Sequence, residues 1–438
     1  MVIRSYRIAA GTPMTAQLLA DFIAFHDRQV RDRFLPLQRA YENKLDIGKK
    51  ISRSNFKPNN VLKVGFARYM TDAFCGYMTG IQPVFRDEAD GEFLSFFSRY
   101  TGLPGLTAEL ARQADIFGKA YLMAYVDAQG EVSAAVTTPL DSFIIYDEGI
   151  SRDPVYYIHY YKDWTGIRRG TISDAESIWN FVIDPSVRYT DEEPRPHGFA
   201  GVPAVRFSEN TSDIGLYEEQ LDLIKGYSRA LSYELDDIQS FAQAILKVLG
   251  AQLSAEDKQD LRETQIINVP GSYSGQEVVV DFLSKPDGNA TQENFLNRCE
   301  RLIFATSMVA DISSESFGTQ SGIALLYKLL AMSNLAAAKE ALFKKAFDEF
   351  FRLVCSCPVT GEAEDAWLSY KVVFSRNLPE SLLEQAETAA KLSGITSRET
   401  QLASMPAIVS DVQAELGRIR EEEQDAWAGG FPDERTQE

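Results

Sequence analysis

Apolar side chains recur at steps of three and four through residues 221–245. Leu221, Ile224, Ser228, Leu231, Leu235, Ile238, Ala242 and Ile245 are spaced 3, 4, 3, 4, 3, 4 and 3 apart. That is a period of 3.5, the seam spacing of helices that pack side by side. The pattern predicts a long helix whose stripe packs either on a neighbouring copy or on its own domain. An earlier helix is predicted from Leu62, Phe66, Tyr69, Ala73 and Tyr77, closed by Gly80. Residues 14–45 read as a polar helical region with a weak apolar face, and 92–118 as helix interrupted by a turn at 102–105.

Between residues 120 and 183 the pattern turns to β. Aromatic and β-branched residues crowd 120–126, 132–137, 142–146, 155–161, 165–171 and 177–183. The first two form a hairpin pattern around Asp127 and Gly130. A Pro-, Gly- and acid-rich connection is expected at 185–203.

Beyond the seam helix, the sequence predicts a short α/β module: helix at 255–264, extended chain at 265–269 and strand at 277–283. A helix follows at 291–309, then the polar stretch 311–322 (DISSESFGTQSG), which holds no basic residue. A helix of about 33 residues over 322–354 would be about 50 Å long. That length suits a helix that crosses an assembly. A strand at 368–374 and helices at 380–392, 397–405 and 411–427 complete an α+β chain, with Ser397 as an expected helix cap.

Composition narrows the function. The 438 residues include 44 Lys/Arg and 63 Asp/Glu, a net charge of −19. A basic nucleic-acid clamp is therefore excluded as a whole-chain reading. Residues 1–60 carry 11 basic and 5 acidic side chains, so a basic head precedes an acidic body. The seam helix carries Glu218, Glu219, Asp222, Glu234, Asp236 and Asp237 against Lys225 and Arg229, which predicts an acidic surface along one side. No signal peptide and no uncharged apolar run of about 18 residues is found, which points to a soluble intracellular protein with no membrane partner. In the best apolar candidate, 322–342, Lys328, Lys339 and Glu340 intervene.

Recognisable catalytic chemistry is missing. Cys75, Cys299, Cys355 and Cys357 form neither a disulfide framework nor a zinc or redox spacing, and read as buried small side chains. His26, His159 and His197 lie far apart, so no metal site is expected. Gly48-Lys49-Lys50 lacks the earlier Gly and the Ser/Thr of a phosphate cradle. Carboxylate groups at Asp236/Asp237, Glu362/Glu364/Asp365 and 421–423 have no His or Lys partner and read as solvated faces. No enzyme activity and no cofactor is expected.

Four stretches in order carry a resemblance to a known family. They are 59–83 (NNVLKVGFARYMTDAFCGYMTGIQP), 115–121 (DIFGKAY) with a hairpin and 139–147 (PLDSFIIYD), 321–328 (SGIALLYK), and 374–384 (FSRNLPESLLE) followed by 394–399 (GITSRE). Together they resemble the portal, or head-to-tail connector, proteins of long-tailed double-stranded DNA bacteriophages.

The resemblance implies a portal-type protomer. Residues 1–215 would be an α/β wing with a basic arm at 1–60, and 216–241 the first stem helix. Residues 242–290 would be a small clip, 291–309 the second stem helix and 310–321 a tunnel loop. Residues 322–377 would be the long wing helix and a returning strand, and 378–438 a short helical crown with an acidic tail. Such proteins form rings, usually of twelve copies, at one capsid vertex, in the virion and, during assembly, in the host cytoplasm. They nucleate procapsid assembly, pass DNA during packaging and ejection, and meet the terminase large subunit, scaffolding protein, major capsid protein and head-completion or adaptor proteins.

On that layout the DNA-facing tunnel loop would hold Asp311, Ser313, Ser314, Glu315, Ser316, Phe317, Gly318, Thr319 and Gln320. Leu221, Ile224, Leu231, Leu235 and Ile238 would pack between subunits, and Glu234, Asp236 and Asp237 would face the channel. The residues agree with it in three respects. A helix with seam and acidic sides suits a ring around DNA, since an acidic or neutral wall does not grip phosphates. The loop carries Asp311 and Glu315 without a cation. The missing nucleotide motif suits a conduit whose motor is another protein. The alternatives are another phage head-tail adaptor or head-completion protein, or a metal-dependent nuclease built on the acidic clusters.

Overall fold

Leu19, Phe22, Ile23 and His26 share one face of the first long helix, and that buried face decides how the amino-terminal region packs. The helix, α1 (Ala16–Gln29), opens on Thr15, whose side chain accepts from the Leu18 backbone N–H at 3.2 Å. It continues through a π-helical turn (Val30–Phe34) into α2 (Leu35–Tyr41). The apolar face expected to be weak is a full packing face, laid on a sheet with Ile8, Phe143, Ile145, Ile158 and Phe181. The computed structural model describes residues 3–48, 58–241, 246–249, 279–282, 289–312, 322–377, 382–405, 408–409 and 412–428.

That sheet begins with β1 (Arg7–Ile8). The chain then forms α3 (Phe66–Thr79), β2 (Val84–Asp87), α4 (Phe93–Thr101) and α5 (Leu103–Phe117). Leu62 lies in extended chain ahead of α3, so the helix starts one turn later than its apolar spacing suggests. The expected break inside 92–118 narrows to Gly102, held at φ 63° between α4 and α5.

The expected hairpin is β3 (Lys119–Val126) and β4 (Val132–Thr137). Then come β5 (Ser142–Asp147), β6 (Pro154–Lys162), β7 (Arg168–Ser173), β8 (Ser177–Ile183), β9 (Val187–Tyr189), β10 (Arg195–Pro196) and β11 (Ala204–Ser208). Strand β7 starts at Arg168, not 165, because Asp163 Oδ1 accepts from the N–H groups of Thr165 (2.9 Å) and Ile167 (3.0 Å) and closes a turn there. The larger sheet has the order β1-β5-β6-β7-β8-β10, with β9 also on β8; β1 is parallel to β5 and the other pairs are antiparallel. The connection expected at 185–203 therefore carries two short strands. A three-stranded sheet, β11-β3-β4, uses a strand that alternation did not reveal.

Gly118 joins α5 to β3 at φ 82°, and a Cβ there would overlap the Asp213 carbonyl. Replacing Gly118 with Ala therefore demands both a left-handed backbone and a displaced chain. A loss of about 2–4 kcal/mol in unfolding free energy is expected, and a denaturant titration that finds less than about 1 kcal/mol refutes this reading.

The second half contains α6 (Leu221–Phe241), an antiparallel pair β12 (Leu246–Leu249) and β13 (Val279–Phe282), α7 (Asn289–Ser307), α8 (Gly322–Cys355) and β14 (Tyr370–Val373), which pairs with β2. The helix and extended segment expected at 255–269 lie outside the described residues. In α8, Phe343, Phe347, Phe350 and Phe351 enter a core with Phe97, Phe207, Leu110 and Leu122. All four cysteines are free and buried.

One charged side chain of α8 is in this interior. Lys339 is fully buried. Its ammonium meets the Asp115 carboxyl, lies 2.6 Å from Glu209 Oε2 and donates to the Ala111 carbonyl at 2.9 Å. The rings of Phe74 and Phe343 lie 5.2 and 5.4 Å from it. An ammonium removed from water needs such partners.

The chain divides into two units, Met1–Arg376 and Asn377–Glu438. The second holds α9 (Leu382–Leu392), α10 (Arg398–Ala403) and α11 (Val412–Ala428). Ser397 caps α10 as expected, its Oγ accepting from the Thr400 N–H at 3.2 Å.

Candidate functional site on helices α6 and α7

Helices α6 and α7 pack antiparallel. Gln220, at the head of α6, donates to Thr306 Oγ1 near the end of α7 at 3.3 Å, while Gln292 at the start of α7 reaches Asp237 at 3.5 Å. Ile224 faces inward on α6; Leu296, Cys299 and Ile303, spaced three and four apart, do so on α7. Phe66 of α3 closes the aromatic contact, with its ring centroid 5.0 Å from Tyr227 and 5.8 Å from Phe304.

A second face of α6 is taken by the extended segment before α3. The Val64 N–H donates to Ser228 Oγ at 3.3 Å, and the Leu62 N–H to Ser232 Oγ at 2.9 Å. The Asn60 N–H and side-chain amide both donate to Asp236 Oδ1, at 2.7 and 2.8 Å. The match is geometric. Two residues of extended chain advance about 6.6 Å, and four residues of helix about 6.0 Å. Every second residue of the segment thus meets every fourth residue of the helix. Small hydroxyls at 228 and 232 let the backbone come close enough to bond. Sequence reasoning placed Ser228 in an apolar stripe and missed this role; the signal available was Ser228 and Ser232, two small hydroxyl residues four apart on one side of the helix.

The seam is consequently divided. Ile224 and Ser228 are buried within the protomer. Leu221, Leu231 and Leu235 are half-buried, and Ile238 is 60% exposed. Tyr233 of α6, Phe295 and Leu302 of α7, and Leu326, Tyr327 and Leu330 at the start of α8 are also exposed. Large apolar side chains thus collect on the outer surfaces of these three helices.

The acidic residues divide as well. Glu218 forms a two-pronged pair with Arg33 at 2.6 and 2.8 Å, so it does not lie on an open acidic surface. Asp236 is engaged by Asn60. Glu219 and Asp222 are exposed, and Glu234 and Asp237 are half-buried.

Helix α7 ends at Ser307, followed by Met308 in the left-handed region at φ 61°. The Ile312 N–H donates to the Tyr69 hydroxyl at 2.9 Å, which ties the start of the following stretch to α3. Asp311 is half-buried beside a cleft of about 480 Å3 shared by α7 and α8. Ser313, Ser314, Glu315, Ser316, Phe317, Gly318, Thr319 and Gln320 lie outside the described residues.

In chain order the described residues of this region hold helix α6, the strand pair β12–β13, helix α7 and the 34-residue helix α8. A profile of the family described as "Phage portal protein, SPP1 Gp6-like" matches residues 20–427. The chain belongs to this portal family. A portal protein of Clostridium phage phiCD119 (strain Clostridium difficile/United States/Govind/2006) is 22% identical over 421 residues, covering 89% of this chain and 92% of that protein. A structure of the virion of a native gene transfer agent particle is similar with a TM-score of 0.48 at 11% identity, covering 85% of this chain and 92% of that chain. The portal family is structural, not enzymatic. Among the described residues of this member, no group of three or more His, Cys, Asp or Glu is placed to hold a metal ion, and no helix is long and apolar enough to cross a membrane.

Proposed function

We propose that this chain assembles into a ring of about twelve copies at one vertex of a phage capsid and forms the channel through which double-stranded DNA is packaged and ejected. The observation that carries the reading is the open apolar surface of α6, α7 and the start of α8. Ile238 at 60% and Tyr327 at 75% exposure are costly in water and call for a partner. In a ring, Leu231, Leu235 and Ile238 pack on the adjacent copy, with Leu221 and Ile224 extending the stripe into the protomer. Of the acids expected on the channel wall, Asp236 is engaged by Asn60 and Asp237 by Gln292, so Glu234 leads that role in this reading, with residues 311–320 as the proposed loop nearest to DNA. An acidic wall suits transit, because it leaves phosphate charge unneutralised.

The ring would sit in the virion as platform for a terminase large subunit, nucleate procapsid assembly with scaffolding and major capsid proteins, and later hold a head-completion protein. Negative-stain microscopy with native mass on the purified chain tests the central claim. Rings with a central hole and about a dozen copies are expected. A monomer at every concentration, with and without an added scaffold, overturns it.

A further inference from the structure

The larger sheet carries opposite charge at its two ends. Beside β1 and the β5–β6 turn opens a cleft of about 1130 Å3, walled on the far side by the second half of α8. Arg4, Arg7, Arg152 and Arg352 line it, and none of them makes an ion pair among the described residues. At its floor, Lys119 and Arg206 share one carboxylate, Asp213, at 3.3 and 3.1 Å. The cleft is therefore rich in cations within a chain of net charge −19.

Beyond β8, at the other end, the β9–β10 loop presents Asp191, Glu192 and Glu193. Glu192 and Glu193 are exposed and make no ion pair among the described residues. The loop is held in shape before any contact. Asp191 accepts from the Asn180 backbone and side chain at 2.9 Å, the Thr190 N–H donates to the Asn180 carbonyl at 3.0 Å, and prolines stand at 194 and 196. A loop already ordered loses little entropy on docking.

We propose that the acidic β9–β10 loop of one copy seats in the arginine cleft of the next, making a head-to-tail contact between wings. The proposal rests on the ring reading and deepens it. Different patches on one molecule that complement each other form a heterologous contact, which closes into a ring when the rotation is right. Asp153, Asp213, Glu349 and Glu364 also line the cleft and oppose densely charged phosphate, which favours spaced carboxylates on a polypeptide. The volume exceeds the range of about 300–1,000 Å3 usual for small ligands and suits a loop.

The test measures the half-assembly concentration of the full chain by mass photometry. Glu192→Arg/Glu193→Arg should raise it at least tenfold, and adding Arg4→Glu/Arg152→Glu should recover most of the loss. Assembly of the wild type should also weaken as salt rises. As a second readout, Glu193→Cys/Arg152→Cys, oxidised after assembly, should give a ladder of disulfide-linked multimers, whereas either single variant stops at dimers. Rings whose half-assembly concentration ignores the charge reversal overturn this contact and leave the ring reading standing. Linear ladders without closed rings support the contact and overturn the ring. A wild type that never associates overturns both.

Discussion

Leu231→Asp/Leu235→Asp is expected to turn rings into monomers while leaving the protomer folded. Both side chains are half-buried in the isolated chain, where the extended segment and α7 cover other faces of α6. Each buried leucine contributes about 1.5–3 kcal/mol, and an aspartate forced into that contact adds the cost of burying a charge. In the proposed ring, every interface would carry the same lesion. Ile224→Asp serves as the contrast, because Ile224 is 3% exposed within the protomer and its substitution should unfold the chain. Native mass reports assembly and circular dichroism reports folding. Rings that survive the double substitution would show that the exposed stripe is not the subunit seam.

The second large effect is expected at Lys339. Replacing it with Met leaves Asp115 and Glu209 facing each other, fully buried, without their cation. Breaking one partner out of such a group costs about 3–5 kcal/mol. Burial pushes the Asp115 carboxyl well above its ordinary value of 3.8; Lys339 pulls it back and Glu209 adds to the rise. The folded chain thus keeps a proton that the unfolded chain releases as pH climbs past 3.8. The stabilisation it confers is complete below that pH and is lost as pH rises through the folded value. Asp115→Asn, which cannot ionise, should show a shallower fall in stability over that range. Parallel pH profiles for Asp115→Asn and the wild type would rule out the retained proton.

The helices were legible where periodicity is strong and local. The 3.5-period stretch appears as α6, and the long apolar run as α8 (Gly322–Cys355), one residue longer than its pattern predicts. Ser397 was readable as a cap because capping needs only the next three residues. Contacts between distant segments were not readable. Lys339 looked like an interruption of an apolar helix, yet its partners stand 224 and 130 residues away, and no local rule connects them. Strand β11 alternates too briefly to stand out, and it is identified as a strand by pairing with β3. Leu62 fitted a helical spacing, but hydroxyls from α6 offered its backbone a different partner.

Helix α8 has a mechanical consequence. Its 34 residues make a rod about 51 Å long, with one end beside α7 and the other in the aromatic core. Lys339 stands near the midpoint, clamped from two sides. A rod pinned at its centre acts as a lever with a fulcrum: a tilt of about 5° carries each end about 2 Å in opposite directions. Force applied at the end beside α7 would be felt as displacement at the end held in the aromatic core.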